Sequence, residues 1–341
     1  MVSALNLFGR SIDTNERKGI KMKVKFGIMG LGGIAHRFAK VLKTIENVEL
    51  TAVASTDETR ARQFAGEYAV KKYFGDYAAL AADPFVDVVY IAQTHDRHYE
   101  LIKLCIEHKK GVICEKPMVL TEQQALEVTE LSKINKVLLM EAMWSRFIPT
   151  FRKAREWVSE GKIGTVRLVQ ASFCFHFPYD PAHRLYNAGT AGGSLYDAGV
   201  YPIEFTTGIL NENPAEVKAV ATFCENGVDD YVAMAMKFES GVLASLSCGI
   251  RAATSKDAYI YGDNGYVVVY NFLGSHKIER YDKDFQLCET FEAEFEDGFC
   301  YEIRHFAELF RTGKVESEII PHKDNIATSR IFEIVCEQIY R

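Results

Sequence analysis

The sequence predicts an α/β protein in two parts. Residues 22–143 read as a Rossmann domain, a doubly wound parallel sheet, and residues 144–341 as an α+β domain on a mainly antiparallel open sheet. Three observations predict this. In the first part, short runs rich in Val and Ile alternate with stretches of helical periodicity, as strands buried on both faces by crossover helices do. A Gly-x-Gly-x-x-Ala loop joins the first run to the first helical stretch. Beyond Trp144 the runs lengthen, take up aromatic residues and are separated by signals such as ESG and GDNG, which read as tight turns between antiparallel strands.

In order, VKFGIMG, VELTAVAS, VDVVYIAQ, GVICEKP and KVLLMEAM are the expected parallel strands. IAHRFAKVLKTI, ETRARQFAGEYA, HYELIKLCIEHKK and EQQALEVTELSKIN are the helices between them. The last opens with Thr121 and Gln124 in capping-box spacing. In the second part TFRKAREWVSEG is a helix ending at Gly161. TVRLVQASFCF, AEVKAVATFC, YVAMAMKF, GVLASLSCGI, AYIYG and YVVVYN follow as strands, with helices near residues 194–210 and 300–312 and a closing helix in NIATSRIFEIVCEQIYR. Residues 1–21 precede a second methionine, Met22, and lack the apolar core and cleavage site of a secretory signal. They are read as an extension outside the fold.

The chain of 341 residues, 48% hydrophobic and 25% charged, is long enough for two cores and ordinary for a globular protein. A formal net charge of -6 argues against nucleic-acid or anionic-membrane partners, which require a basic excess. Eight scattered cysteines form no CxxC pair and none lies at metal-ligand spacing from a histidine. They are expected to be reduced, in a cytoplasmic protein with no metal. No run reaches the roughly 18–20 apolar residues of a spanning helix.

In GIMGLGGIAHRF, Gly30, Gly32 and Ala35 hold dinucleotide-binding spacing. Gly30 permits the tight turn, Gly32 lets the backbone approach a pyrophosphate, and Ala35 lets the helix pack on the strand. Backbone N–H groups at Gly33 and Ile34 then face the phosphate charge. The motif alone is weak; the strand before it and the helix after it supply the confirming context. At the end of the second strand an acidic residue would hold the ribose 2′-OH of NAD, whereas TAVASTDETR offers Ser55 and Thr56, with Asp57 and Arg60 beyond. Two hydroxyls, with Arg60 and the loop's Arg37 as counter-charges, favour a 2′-phosphate and hence NADP, with NAD as the alternative. Ser55 also suits the N-cap of the next helix.

CEKP ends a buried run. Carboxyl ends of parallel strands line the ligand crevice of such sheets, so Glu115 and Lys116 are expected at the cofactor site. Pro117 disfavours a helical conformation at Lys116 and aims its side chain. A partly desolvated lysine beside an oxidised nicotinamide has a lowered pKa. It can take a proton from an alcohol or return one to a carbonyl, a general acid/base role. On this triplet alone, an ordinary ion pair at a strand end explains the residues equally well.

The glycine loop, YIAQTHDRHYELIKLCIEHKKGVICEKP, MEAMWSRFIP and GTAGGSLYDAGVYPI together resemble the Gfo/Idh/MocA oxidoreductases. Within them the chain most resembles the branch of dimeric dihydrodiol dehydrogenase and D-xylose dehydrogenase, from about Val24 to the C-terminus. The resemblance implies that Lys116 is the catalytic lysine and Asp197 the substrate-site aspartate. It puts Tyr201 where many members have histidine and this branch has tyrosine. In a helix Asp197 and Tyr201 share one face, and Pro202 is expected to distort that helix. His98 matches a histidine near the nicotinamide. Thr94, His95 and Asp96 replace the usual Thr-Pro-Asn, a departure among the cofactor contacts. Trp144 and Arg146 resemble residues that wall the cofactor and substrate cleft. The loop-rich stretch HFPYDPAHRLYNAGTAGG offers His176, Phe177 and Arg184 as pocket residues.

The expected reaction is hydride transfer between NADP and a secondary alcohol or hemiacetal carbon of a sugar, cyclic polyol or trans-dihydrodiol. Lys116 takes the hydroxyl proton, Tyr201 binds the reacting oxygen, and Asp197 orients the lysine or a neighbouring hydroxyl. The alternatives are an enzyme that recycles its bound cofactor, as an epimerase or sugar-sugar oxidoreductase does, and a non-catalytic nucleotide sensor. An open sheet with an apolar face implies a homo-oligomer, most simply a dimer.

Overall fold

Strand β1 (Val24–Met29) is apolar and almost wholly buried, as the central strand of a two-sided sheet must be. The structure is a computed structural model that describes residues 23–341; the expected extension, residues 1–21, lies outside the described residues. Around β1 stand β2 (Val48–Ala54), β3 (Lys72–Phe74), β4 (Val88–Ile91), β5 (Gly111–Glu115) and β6 (Leu139–Ala142). All pair in parallel, in the order β3-β2-β1-β4-β5-β6. The direction of winding reverses between β1 and β4, and a crevice opens there at the carboxyl ends. Helices α1 (Gly33–Leu42), α2 (Glu58–Glu67), α3 (Tyr77–Ala82), α4 (His98–Glu107) and α5 (Glu122–Asn135) cover the faces. At α5, Thr121 Oγ accepts from the Gln124 N–H at 3.2 Å, while Gln124 Oε1 accepts from the Leu120 N–H at 3.1 Å, one residue earlier than a reciprocal capping box requires. β3 and α3 are not among the expected elements; both are too short to carry a readable period.

The second sheet comprises β7 (Val166–Cys174), β8 (Pro214–Phe223), β9 (Asp229–Phe238), β10 (Leu243–Gly249), β11 (Ala258–Gly262), β12 (Gly265–Val269), β13 (Lys277–Asp282) and β14 (Leu287–Glu292). Its order is β14-β13-β12-β11-β7-β10-β9-β8, antiparallel throughout except for the parallel pair β7 and β10. The outermost pair, β13 and β14, was not expected because KIERYD and LCETFE carry charges through both strands. Helices α6 (Pro149–Ser159) and α7 (Val200–Leu210) pack on one face. The other face leaves Val220 and Leu243 exposed and carries stacked tyrosine pairs, Tyr259 with Tyr261 and Tyr266 with Tyr281.

A π-helical turn, Leu195–Gly199, leads into α7. Pro202, near the start of α7, has no N–H to bond back to Ala198 in the α pattern, so the expected distortion takes this form. Two last helices, α8 (Phe299–Arg311) and α9 (His322–Ile339), return to the first sheet. His322 Nε2 meets the Leu139 carbonyl at 3.0 Å, Asn325 donates to Glu141 at 2.8 Å, and Glu333 accepts from the Glu122 N–H at 2.9 Å. These ties fix how the two sheets meet, and the main cleft lies along their seam.

Candidate active site

A cleft of about 770 Å³ runs from the glycine loop and Arg60 to Lys116, Asp197 and Tyr201. At its first end Gly30 has φ +90°, and a Cβ there would lie 2.6 Å from the Ala92 carbonyl oxygen, so only glycine fits. Around the Cβ positions of Gly32 and Gly33 there is no atom within 4 Å, which leaves the wall open towards the cleft. No side chain caps the N-terminus of α1 and no acidic residue occupies its first turn, while Ala35 is buried against the strand. Uncapped N–H groups, a positive dipole end and an open glycine wall fit the pyrophosphate of a dinucleotide.

The end of β2 corrects one expectation. The N-cap of α2 is Asp57, whose carboxylate accepts from the N–H groups of Thr59 and Arg60 at 2.9 and 3.2 Å. Ser55 is buried one step further back, and its hydroxyl accepts from the Asp57 N–H at 3.1 Å. Thr56 is exposed beside it. Arg37 is committed elsewhere: it pairs twice with Asp297, at 2.8 and 2.9 Å, and lies over the rings of Phe299 and Trp144 at 4.0 and 4.9 Å. Of the two arginines proposed for a 2′-phosphate, Arg60 is the one without that commitment.

At the other end Lys116 Nζ donates to the Asp197 carbonyl at 2.8 Å and stands 3.4 Å from Asp197 Oδ1. It lies 5.0 Å from the centre of the Tyr201 ring. The Lys116–Pro117 peptide bond is cis. Arg184 donates to the same carboxylate oxygen at 3.0 Å, and His95 Nε2 faces it at 3.8 Å. Glu115 accepts from the Tyr90 hydroxyl at 2.5 Å beneath the lysine. Thr94 and Trp144 line the cleft, and a Cβ at Gly298 would lie 2.5 Å from the Trp144 ring.

Electrostatics separates these groups. Burial pulls the Lys116 pKa down, but Asp197, Tyr201 and Glu115 together hold it above the ordinary lysine value. The protein surrounds this ammonium with acidic groups, and their attraction outweighs the cost of burial. Asp197 is also buried, yet Lys116, Arg184 and His95 keep it well below the usual carboxylate range. Burial, helped by the Lys116 charge, pushes His95 down to about 3. Burial raises the Tyr201 phenol.

Of the predicted residues, Gly30, Ala35, Ser55, Thr56, His98, Arg146 and His176 do not line the cleft, and the last three are placed furthest from expectation. His98 is fully buried, with its ring nitrogens 2.9 and 3.0 Å from the carbonyls of Pro117 and Gln93. It ties the β4 exit to the EKP segment and does not line the cleft. Arg146 is 1% exposed and bound to Glu204, Asp324 and Thr207. His176 is exposed and bridges to Arg251. Alternation explains its place: Phe173, Phe175 and Phe177 line the cleft, and His176 points the other way. Of these, Phe173 and Phe175 were missed, although the alternation in SFCFHF carries the signal.

Residues 24–143 match the oxidoreductase family with NAD-binding Rossmann fold, and residues 151–268 match the GFO/IDH/MocA C-terminal domain. The chain belongs to the GFO/IDH/MocA oxidoreductase family. This oxidoreductase is 34% identical over 324 residues to trans-1,2-dihydrobenzene-1,2-diol dehydrogenase of Mus musculus, a match covering 92% of this chain and 96% of the relative. To the enzyme of that name from Homo sapiens it is 31% identical over 333 residues, covering 93% and 97%. A 3-ketoreductase from Actinomadura kijaniata, solved in complex with NADP and TDP-benzene, superposes with a TM-score of 0.84 at 25% identity, covering 93% of this chain and 98% of that one. An aldose-aldose oxidoreductase from Caulobacter crescentus complexed with glycerol shares the fold, with a TM-score of 0.83 at 23% identity and the same coverage. The family and fold class read from the sequence are therefore the ones found.

Proposed function

We propose that this oxidoreductase is an NADP-dependent dehydrogenase of sugars, cyclic polyols or trans-dihydrodiols, with Lys116, Tyr201 and Asp197 as its catalytic residues. The observation that carries this reading is the convergence of these three side chains at one end of a cleft whose other end fits a dinucleotide. When bound, NADP accepts or gives a hydride at its nicotinamide ring. The chain supplies the proton and the geometry. Lys116 has three donors, and its two contacts both go to Asp197, so one N–H remains for a reacting oxygen. With its pKa raised it is protonated near neutrality and ready to donate to a carbonyl. In the oxidative direction it first loses that proton, so oxidation is faster at higher pH. Tyr201 stays a phenol and donates to the same oxygen. Asp197 stays ionised and balances Lys116 and Arg184.

Gly30, Gly32, Gly33, Ile34 and Ala35 form the pyrophosphate cradle, with Thr94, Glu115 and Trp144 along the nicotinamide end. NADP is favoured over NAD because the residues at the end of β2 are Ser55 and Thr56, Asp57 is engaged through Oδ1 as the cap of α2, and the cation Arg60 lines the cleft. Residues 22–143 thus form the nucleotide domain and residues 144–341 the substrate domain. The apolar open face around Val220 and Leu243 is read as a homodimer surface. None of the eight cysteines is disulfide-bonded, and no described helix is long and apolar enough to cross a membrane; a cytoplasmic site is proposed on the thiols.

Nicotinamide absorbance, followed with NADP or NAD and a panel of aldoses, inositols and cyclic diols, tests this. NADP reduction that depends on one substrate class and falls about 100- to 10,000-fold in kcat/KM for Lys116→Ala is expected. Tight NADP binding with no net redox change on any substrate points instead to a cofactor-recycling enzyme or a sensor.

A further inference from the structure

His95 stood among the expected cofactor contacts, but its geometry directs it to the substrate. Its Nδ1 lies 2.9 Å from the carbonyl of Ala191, a group that only accepts, so Nδ1 carries the hydrogen. Nε2 is then an acceptor. It faces Asp197 Oδ1 at 3.8 Å, and the residue is only 6% exposed. Two acceptors this close want a donor between them. Asp197 has its donors in Lys116 and Arg184; the His95 lone pair has none among the described residues. Protonation of the ring does not resolve this, because burial and the Lys116 charge keep it neutral at working pH. A cationic ligand is disfavoured by the same Lys116 and by Arg184. A neutral hydroxyl meets the requirement: it donates to Nε2 and accepts from Arg184, which is half exposed and makes a single side-chain bond, to Asp197.

We propose that His95 and Arg184 form a subsite for a second hydroxyl, next to the carbon that reacts at Lys116 and Tyr201, so that the enzyme selects vicinal diols over lone alcohols. The inference rests on the catalytic reading of Lys116 and Tyr201 above and adds to it the part of the substrate that is read. A site built to bond a hydroxyl rejects an analogue lacking it, because its own polar groups are then left unpaired.

The test compares binding of trans-1,2-cyclohexanediol and cyclohexanol to the NADPH-loaded protein, in which neither alcohol can be oxidised. Two variants separate reading from folding. In His95→Asn the amide nitrogen can keep the bond to Ala191 while nothing occupies the Nε2 position; in His95→Gln the amide reaches the Nε2 position and gives up the Ala191 bond. The wild type is expected to prefer the diol by about tenfold or more. His95→Asn loses that preference with cyclohexanol affinity unchanged, and His95→Gln keeps most of it. A wild type without preference, an Asn variant that retains it, or equal weakening of both alcohols overturns the proposal. Turnover of the same alcohols with NADP, measured separately, reads the catalytic assignment: diol preference without turnover sinks that assignment and leaves the subsite standing.

Discussion

Two ion clusters sit at the seam between the sheets, and they look alike on paper. One joins Lys116, Asp197 and Arg184; the other joins Arg146, Glu204 and Asp324. Their difference lies in donors left over. The guanidinium of Arg146 is 1% exposed and held on every nitrogen by the frame: Nε donates to the Glu204 carbonyl at 2.9 Å, Nη1 to Asp324 at 2.7 Å and to the Ile319 carbonyl at 3.4 Å, and Nη2 to Thr207 at 2.8 Å, with Glu204 Oε2 as an ion-pair partner 2.9 Å away. The fit is tight enough that a Cβ at Gly208 would lie 2.8 Å from the guanidinium. Lys116 bonds only Asp197 and faces the cleft. A buried cation whose nitrogens all meet the surrounding frame is part of that frame, whereas one with a donor to spare at a cavity wall can move a proton.

Exchanging each cation for methionine breaks the comparison most sharply. Arg146→Met leaves Glu204 buried without its partner and is expected to destabilise the fold by about 3–5 kcal/mol in equilibrium denaturation. The kcat of its folded fraction should stay within about twofold, since Arg146 is buried away from the cleft. Lys116→Met should do the opposite, with kcat/KM reduced by about 100- to 10,000-fold and a smaller loss of stability than in Arg146→Met, because Asp197 keeps Arg184 as a partner. An Arg146→Met protein that folds normally but fails in catalysis would place Arg146 in the active site after all.

The same pair shows how far the sequence can be read. The parallel strands were legible because a two-sided sheet demands continuous apolar runs, and VDVVYIAQ or GVICEKP satisfies little else. The charged hairpin β13 and β14 was not legible, since KIERYD lacks a clean apolar face. Among site residues, Lys116, Asp197 and Tyr201 were found from their motifs, and the cleft brings them together. Arg146 and His98 were misplaced because a motif reports only that a polar side chain is there. Whether its donors meet carbonyls on α7 or on the EKP turn is decided by segments tens of residues away. His176 was a different failure: strict alternation from Phe173 onwards already turned it outwards.

A smaller effect sharpens the role of the open cluster. Asp197 is the leading group holding the Lys116 pKa up. In Asp197→Asn that attraction is lost, so the lysine releases its proton at lower pH. Oxidation requires the neutral amine; its alkaline rise in kcat should therefore move to lower pH in the variant. Reduction requires the ammonium, and its loss at high pH should begin earlier by the same interval. Tyr201→Phe should lower the rate and move the limb less than Asp197→Asn does, since Asp197 is the leading group. A limb that stays put in Asp197→Asn would mean that it reports a group other than Lys116.

The smallest expected change lies at the far end of the cleft, where Arg60 is the counterpart of Lys116 for the nucleotide. Asp57 caps α2 through Oδ1, which accepts from two N–H groups at the start of the helix, a cap worth about 1 kcal/mol. On the proposed reading Asp57 is kept as a cap, and the choice between cofactors falls to Arg60 and the Ser55–Thr56 hydroxyls. One charge-assisted hydrogen bond contributes about 1.5–3 kcal/mol, and the exposed position discounts it towards the lower figure. Arg60→Ala is accordingly expected to weaken NADP binding by about tenfold and NAD binding by less than about twofold, read by fluorescence titration of both reduced cofactors. Equal weakening of the two would assign Arg60 to the shared adenine or pyrophosphate, and the preference for NADP would then have to come from the hydroxyls alone.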